Sequence, residues 1–456
     1  MEGLIMAGQL ILGLSILVTL HEFGHFITAK WFKMRVDKFY LFFDFLFPIP
    51  TVLNFALFKK KVGDTEYGLG WFPLGGYVSI AGMIDETQDA ATLAKEPEPW
   101  EFRAKPAYQR LIVMLGGVIV NVITGVVIFV ALTFSNGNNF ISKEELNKNG
   151  IVALELGQQI GLKTGDKVVK VNGADYKSLA DLRTSDVLLG ENSSYTVLRD
   201  GQEIEVKIPS NFIEKLSDKK AAFIEPVAAF KVAEVAAPEE PGSEKGELLP
   251  AYSAGLKSGD YITAVNGQAI HFYHEIKSAL AKEAGKPIKL AITRQGKSDT
   301  LSMVVAKTGQ IGFIPELLIK TTHEDYTFIE SVQIGTGRAF SVISDNIRGF
   351  KKIASGDVSA SKALSGPIGI AQMFGGVWDW TRFWMLTGLL SMALAFMNIL
   401  PIPALDGGHA VFLIYEMITG KPASEKVLER AQQVGMLILL ALMAYTFGND
   451  IFKAFF

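Results

Sequence analysis

The sequence predicts a multi-pass α-helical membrane protein that carries two inserted β-rich domains. Of its 456 residues, 49% are hydrophobic, and four apolar stretches are each long enough to cross a bilayer as a helix. A segment in the polar middle of the chain occurs twice, which indicates two copies of one small domain. A membrane-embedded part and a substantial polar part are therefore expected in one chain.

Charge and cysteine content limit the partners and the metal ligands that this chain can have. The net charge of −3 is too small to indicate a nucleic-acid partner. The chain has six histidines and no cysteine, so disulfides and every cysteine zinc site are excluded. Any bound metal must be held by His, Asp or Glu.

Four stretches are predicted to span the membrane: residues 3–25, 111–134, 383–400 and 434–456. The last is the weakest candidate, because Asn449, Asp450 and Lys453 interrupt it. The first lacks the basic start and small-residue cleavage site of a signal peptide, so it is predicted to be a retained helix.

A fifth apolar stretch, residues 39–58, is predicted not to cross. It contains Asp44 and two prolines, and lysines and arginines flank it on both sides. If both flanks follow the positive-inside preference, they share one side of the membrane, and the stretch is interfacial or re-entrant. The loop between the first two helices is then cytoplasmic, and the polar region 136–382 faces outward.

The first apolar stretch ends in His21-Glu22-Phe23-Gly24-His25. Positions i and i+4 share one face of a helix, so His21 and His25 can bind one metal ion, which is the signature of a zinc hydrolase. Glu22 lies on the same turn, where it can exchange protons with water. Ionisable residues inside a membrane segment are functional candidates, so the motif indicates a protease acting within the bilayer, its site toward the cytoplasmic side.

A catalytic zinc ion usually has a third protein ligand. Asp406 is the candidate, because Pro401 and Pro403 break the helix before it and the glycines after it permit a tight backbone. Asp406 is also placed to cap the following helix. His409 is a rival ligand, predicted instead to support the ligands or to be exposed. Asn398 lies before the break, where its amide can bind substrate or join neighbouring helices.

The polar middle contains the repeat. Residues 161–173 and 255–267 are identical at eight of 13 positions, at an offset of 94 residues. In each copy a Gly-Asp turn precedes a predicted strand, residues 167–171 and 261–265, and an Asn-Gly turn follows it. Residues 236–249 between them are predicted to form a loop. The region's three histidines are predicted to be surface residues: His271, His274 and His323.

These features resemble known proteins over nearly the whole chain and in order. Each repeat resembles a PDZ domain of the bacterial, circularly permuted type, although two small β folds without a ligand remain an alternative. Together with the His-Glu motif and the segment from Asn398 to Gly407, the repeats resemble the site-2 protease family, peptidase M50, in its bacterial regulator-of-sigma-E group. Residues 65–78 are similar to its membrane-re-entrant β-loop, and residues 365–371 to the segment before its third helix.

The resemblance implies a zinc metalloprotease of the bacterial inner membrane, in regulated intramembrane proteolysis. Its expected substrates are single-pass transmembrane proteins, of the anti-sigma-factor type or signal-peptide remnants, cut within the bilayer after a first protease has acted. His21, His25 and Asp406 are implied as zinc ligands, Glu22 as catalytic base and acid, and Asn398 as a substrate-binding residue. The PDZ pair is implied to screen substrates by size or to bind peptide C-termini.

The expected domains are residues 1–135 with the first two helices and β-loop, 136–215 and 216–310 as the two PDZ-like domains, 311–382 as a helical connection, and 383–456 with the last two helices. The chain departs from the family at Leu115-Gly116-Gly117, where Ala-Gly-Pro is usual. This departure bears on how the second helix packs.

Two other functions fit parts of the sequence. A membrane-anchored PDZ adaptor with a vestigial metal motif predicts partner binding that survives loss of zinc. A metal transporter with intramembrane His and Asp predicts metal flux, but it explains neither Glu22 nor the repeats.

Overall fold

The fold consists of two compact units. A computed structural model describes residues 1–46, 53–73, 75–83, 96–219, 222–236 and 250–455. Residues 1–137 and 325–456 form the first unit, called the helical unit here, and residues 138–324 form the second, called the repeat unit. The repeat unit is thus inserted between the second and third predicted spans.

The helices, in chain order, are α1 Glu2–Trp31, α2 Ala107–Asn136, α3 Lys143–Asn149, α4 Glu155–Gln159, α5 Ser185–Leu188, α6 Phe212–Lys219, α7 Pro250–Ser253, α8 Tyr273–Lys282, α9 Phe328–Ala354, α10 Ala360–Ala363, α11 Pro367–Phe374, α12 Trp380–Ile399, α13 Asp406–Thr419 and α14 Glu425–Phe455. The strands are β1 Val36–Leu41, β2 Ala56–Val62, β3 Thr65–Gly70, β4 Tyr77–Ile80, β5 Asn138–Phe140, β6 Ile151–Ala153, β7 Lys167–Val171, β8 Ser194–Arg199, β9 Gln202–Lys207, β10 Ile224–Pro226, β11 Ala229–Val235, β12 Tyr261–Val265, β13 Gln268–Ala269, β14 Pro287–Arg294, β15 Lys297–Val304, β16 Phe313–Leu318 and β17 Thr322–Glu324.

Within the described residues of the helical unit, four helices are long and apolar enough to span a membrane: α1, α2, α12 and α14. They overlap the four predicted stretches, so the prediction of four helices long and apolar enough to cross a membrane is confirmed. Helix α14 begins at Glu425, ahead of the predicted start at residue 434. A helical backbone satisfies its own hydrogen bonds, which is what an apolar environment requires of a spanning segment.

Two of the three polar residues that interrupt the last apolar stretch, Asn449 and Asp450, have partners in the fold. The Asp450 carboxylate accepts hydrogen bonds from the backbone N–H groups of Gly366, Ile368 and Gly369 at 2.8–3.0 Å, which caps the start of α11. The Asn449 amide donates to the carbonyls of two residues in the 361–364 segment. These contacts join α14 to α11 and remove the cost of unpaired polar groups there.

The stretch predicted not to cross contains strands rather than a spanning helix in its described part. A four-stranded sheet has the order β2-β3-β1-β4, with β1 parallel to β3 and antiparallel to β4. Strand β4 therefore lies at one edge of the sheet. Residues 47–52 of this stretch lie outside the described residues, and membrane re-entry of the sheet stays a prediction.

The repeat unit contains two hydrophobic cores, one for each copy. The first core runs from Leu146 to Ile224 and the second from Phe230 to Ile311. Strand β10 belongs with the first core because it pairs with β6. We therefore propose that the boundary between the copies falls after Pro226 rather than at 215/216. The predicted loop at 236–249 lies outside the described residues, except for Ala236.

Both copies use the same buried ion pair. Arg199 donates two hydrogen bonds of 2.7 Å to Asp166, and Arg294 donates two of 2.7 Å to Asp260. Each guanidinium also donates to the carbonyl of the first glycine of its copy's turn at 2.8 Å. The strands predicted after these turns are β7 and β12, as expected. The structure thus gives both sequence repeats one local architecture.

The chain enters and leaves the repeat unit through two strands that pair with each other. Strand β5 pairs antiparallel with β17, which places Phe140 opposite Thr322 and Asn138 opposite Glu324. The two chain connections to the helical unit therefore start from one two-stranded ribbon.

We predict that Arg294→Gln destabilises the second copy selectively. Burial raises the pKa of the Asp260 carboxyl, but the hydrogen bonds from Arg294 and the Lys257 backbone, together with the positive charges of both residues, outweigh burial and hold this pKa below its usual value. The ion pair therefore adds stability above about pH 4 that is lost as the pH falls. Removing the guanidinium leaves the buried carboxylate without its counter-charge, although the backbone N–H of Lys257 still donates to it. The variant should therefore be less stable than wild type at pH 7, and this loss should shrink as the pH falls and the carboxyl is protonated.

Hydrogen–deuterium exchange of the full chain in detergent, at pH 7 and pH 5, measures this effect. Exchange in β12 and β14 should rise in Arg294→Gln, and the matched variant Arg199→Gln should instead raise exchange in β7 and β8. Wild-type exchange in β12 and β14 of Arg294→Gln at both pH values would contradict the prediction.

Candidate metal centre

The candidate centre is built on the C-terminal part of α1. His21 and His25 lie one helical turn apart, and their Nε2 atoms are 3.2 Å from each other. His25 is 7% exposed, and its Nδ1 lies 2.8 Å from the backbone carbonyl of Val113 on α2. Because a carbonyl only accepts, Nδ1 of His25 carries the hydrogen, and its Nε2 offers a lone pair to the centre.

Asp406 is brought to the two imidazoles by the helix break after α12. It is the first residue of α13, whose N-cap is Leu405, and no side chain caps that helix. Asp406 therefore does not act as the cap that its position allows. Its Oδ2 lies 3.3 Å from His21 Nε2 and 3.4 Å from His25 Nε2.

The glycines after Asp406 are required by close packing. A Cβ on Gly408 would lie 2.5 Å from the carbonyl oxygen of Ile402, and one on Gly407 would overlap the carbonyl oxygens at the end of α12. The first turn of α13 therefore packs directly on the proline-containing segment, as the sequence predicts.

The donor atoms of this group fit a tetrahedral zinc ion. Ligands bound at about 2.0–2.1 Å in tetrahedral geometry lie about 3.3–3.4 Å apart, and the three Nε2 and Oδ2 separations are 3.2, 3.3 and 3.4 Å. Oδ2 of Asp406 is buried and accepts no hydrogen bond from the described residues. Two neutral imidazoles and a carboxylate are borderline and hard donors that zinc accepts.

Glycines of α1 and α2 hold the two helices close enough to form the centre. A Cβ on Gly116 would lie 2.5 Å from the carbonyl oxygen of Gly24, and a Cβ on Gly24 would overlap Gly116 in return. A Cβ on Gly117 would lie 2.5 Å from Nε2 of His25 and 2.5 Å from Cε1 of His21. The departure from the family at Gly117 is therefore compatible with tight packing, and it places α2 against both imidazoles.

Glu22 lies beside the three donors but not among them. It lines a cavity of about 260 Å³ together with His21, His25 and Asp406, and Val78 on the edge strand β4 lines the same cavity. A carboxylate within the same cavity as the metal donors is placed to exchange a proton with water there.

Asn398 and His409 complete the surroundings. Nδ2 of Asn398 lies 3.4 Å from Nε2 of His21, so the last turn of α12 reaches the centre. His409 is half-buried and lines the same cavity, but it does not belong to the donor group. The prediction that it is not a ligand agrees with this geometry.

The remaining predicted residues lie elsewhere. His271 and His323 are exposed in the repeat unit, as expected, but His274 is half-buried, and its Nδ1 is enclosed without a partner among the described residues.

Sequence reasoning singled out neither Val113 nor Asn121 as part of the site. Val113 acts through its carbonyl, which carries no side-chain signal, whereas Asn121 is recognisable as an isolated amide within an apolar helix.

The chain belongs to peptidase family M50, whose sequence profile matches residues 9–442. It is 29% identical to the regulator of sigma-E protease RseP of Escherichia coli and 28% identical to protease RseP of Yersinia pestis, each over 96% of this chain and 97% of the other protein. It is also 28% identical to a Neisseria meningitidis protein named as a zinc metalloprotease, over 97% of both chains. The predictions of the family, of a zinc metalloprotease and of zinc as the cofactor are confirmed.

We predict that Gly117→Ala weakens zinc binding by at least about 10-fold. The new methyl group would occupy space taken by both imidazoles, so the ligands must move apart. The dissociation constant, measured by competition with a chromophoric chelator in detergent, checks this expectation. Gly8→Ala on α1 is the control, because no atom lies within 4 Å of a Cβ there. Equal zinc affinities of Gly117→Ala and wild type would refute the steric argument.

Proposed function

We propose that this chain is an intramembrane zinc endopeptidase that cuts single-pass transmembrane proteins within the bilayer. The observation that carries the proposal is the position of the His-His-Asp group. Its members lie on α1 and α13, packed against α2 and α12, and three of these helices are long and apolar enough to span a membrane. The names of the E. coli and Y. pestis relatives, which are proteases, support the same reaction.

Each residue of the centre has a proposed role. His21, His25 and Asp406 would hold the metal, and a zinc ion there would supply Lewis acidity toward the scissile carbonyl and toward water. Glu22 takes a proton from the attacking water as the new C–O bond forms. Glu22 then gives that proton to the leaving amine as the C–N bond breaks, which restores the carboxylate.

Asn398 is proposed to bind substrate. Its amide lies at the edge of the donor group, at 3.4 Å from His21, and it is the last polar side chain of α12 before the helix ends at Ile399. An N–H donor at this position can donate a hydrogen bond to the peptide carbonyl or to the oxyanion that develops from it.

The edge strand β4 is proposed to hold the substrate in extended form. A helical substrate exposes no peptide bond until it unwinds, and unwinding in an apolar environment leaves its backbone groups without partners. Tyr77 and Val78 of β4 line the cavity that contains Glu22, and β4 has no partner other than β1 among the described strands. Pairing with this edge would replace the hydrogen bonds that the substrate loses.

The setting of the enzyme is proposed from the sequence and the relatives. We place it in the bacterial inner membrane, with the basic loop after α1 in the cytoplasm and the repeat unit outward. The two repeats are proposed to be PDZ-like domains that screen substrates by size or bind their C-termini after a first cleavage has shortened them.

We predict that Glu22→Gln lowers cleavage by about 10²- to 10⁴-fold while zinc stays bound. The amide has nearly the same shape but does not accept the proton of water. The test compares purified wild type and variant on a tagged single-pass substrate with a short outer tail, and quantifies zinc in both. Glu2→Gln at the start of α1 serves as the control. Undiminished cleavage by Glu22→Gln would exclude the proposed base.

Two further results separate the alternatives. Binding of a partner peptide that persists in Glu22→Gln, with no cleavage by either protein on several substrates, would favour the adaptor. Zinc uptake by proteoliposomes that contain wild type would favour the transporter.

A second prediction tests whether the substrate pairs with β4, and it changes the substrate rather than the enzyme. Substituting Gly75 or Gly76 by proline would also probe this edge of the sheet. However, a Cβ at Gly75 would lie 2.5 Å from Phe43 and one at Gly76 would lie 2.6 Å from the Tyr40 carbonyl oxygen, so either variant would distort the sheet itself. Substrate peptides that are N-methylated at one position each avoid this problem. If the substrate pairs with β4, only alternate positions donate to the edge. Methylation at those positions should lower kcat/KM by about 3- to 10-fold.

Methylation at the substrate positions in between is the internal control, because every N-methyl group disturbs the substrate helix to a similar degree. A dependence on position without a period of two would rule out strand pairing.

A further inference from the structure

The side chain of Asn121 on α2 faces the imidazole of His21 from behind. Asn121 is fully buried, and its Nδ2 lies 3.2 Å from Nδ1 of His21. Its Oδ1 is enclosed and has no hydrogen-bond partner among the described residues. A buried amide oxygen without a partner is costly, so this arrangement calls for a physical explanation.

The tautomer of His21 that can bind a metal conflicts with an Asn121 side chain whose NH₂ group faces the ring. Nε2 of His21 faces His25 and Asp406, so Nε2 must be unprotonated when it binds metal. The hydrogen of the neutral ring is then on Nδ1. Nδ1–H and the Asn121 NH₂ group would be two donors facing each other at 3.2 Å.

One half-turn of the amide resolves both mismatches. The oxygen and nitrogen ends of an Asn side chain have nearly the same shape, so the rotation exchanges them within the same space. Oδ1 then accepts a hydrogen bond from Nδ1–H of His21 and is no longer unpaired. His21 thereby acquires the kind of support that His25 has from the Val113 carbonyl.

We propose that Asn121 is the positioning residue of the metal centre, which fixes the orientation and the Nδ1–H tautomer of His21 by accepting its hydrogen bond. It acts through His21 and touches neither substrate nor metal. The two histidines then have different supports, a backbone carbonyl for His25 and a side chain for His21, so only the second is open to substitution.

The test measures zinc affinity rather than proteolysis. Asn121→Leu keeps the size of the side chain but removes the acceptor, and the zinc dissociation constant in detergent should rise about 10- to 100-fold. Asn121→Asp retains an acceptor oxygen and should bind zinc at least as tightly as wild type. The visible spectrum of the Co²⁺-loaded protein should change in Asn121→Leu, as expected for an altered ligand orientation, and stay close to wild type in Asn121→Asp.

Ser391→Ala is the matched control. The Ser391 hydroxyl donates to the backbone carbonyl of Asn121 at 2.7 Å, so this variant disturbs the same point of α2 without changing the amide. It should bind zinc like wild type. The thermal unfolding midpoint in the presence of chelator shows whether each metal-free variant is folded.

Three results would overturn the proposal. They are wild-type zinc affinity in Asn121→Leu, equal weakening in Asn121→Leu and Asn121→Asp, and equal weakening in Ser391→Ala. Should Asn121→Leu not fold, Asn121→Ser replaces it, because a serine is too short to reach the ring. Wild-type affinity in Asn121→Ser would then overturn the proposal. Since none of these measurements involves a substrate, they do not depend on the proposed cleavage reaction.

Discussion

The close crossing of α1 and α2 is the constraint on which the centre depends. Gly24, Gly116 and Gly117 lie where any Cβ would overlap the neighbouring backbone or the imidazoles. In an apolar environment, helices associate through packing and hydrogen bonds rather than through burial from water, and small residues allow the closest approach. The same approach brings the Val113 carbonyl within hydrogen-bonding distance of His25, so packing and ligand orientation come from one contact.

Several polar side chains in the interior of the helical unit are paired with backbone groups. Asp450 caps α11, the Asn449 amide donates to carbonyls, and the Ser391 hydroxyl donates to the carbonyl of Asn121. An unpaired polar group is costly in such surroundings. Four buried side-chain atoms of the helical unit have no hydrogen-bond partner among the described residues: Gln9 Oε1, Asn121 Oδ1, Ser331 Oγ and Asp406 Oδ2. Two of them, Asn121 Oδ1 and Asp406 Oδ2, lie at or beside the donor group. A bound cation would pair with Asp406 Oδ2, and the proposed rotation of the Asn121 amide would pair its oxygen with Nδ1–H of His21.

The repeat unit illustrates how a duplicated sequence keeps its internal contacts. The Asp166–Arg199 and Asp260–Arg294 pairs share their bidentate geometry and their donation to a turn carbonyl. The arginine of each pair lies at the end of a strand, well separated in sequence from its aspartate. Such a contact locks a turn to a strand within its own copy, so each copy carries its own stabilising pair.

The sequence by itself determined the four spanning helices, the two repeats, the strands 167–171 and 261–265, and the two histidines of the donor group. These are local properties, since hydrophobic length, turn residues and an i, i+4 spacing need no partner. Asp406 was predicted as a third ligand from the prolines and glycines around it, which indicate a helix break. Only the tertiary structure decided that its carboxylate meets the imidazoles instead of capping α13, that Gly117 lies against both rings, and that Asn121 faces His21. Those facts depend on which helix faces cross and how closely, and that choice is made by packing between segments far apart in the chain.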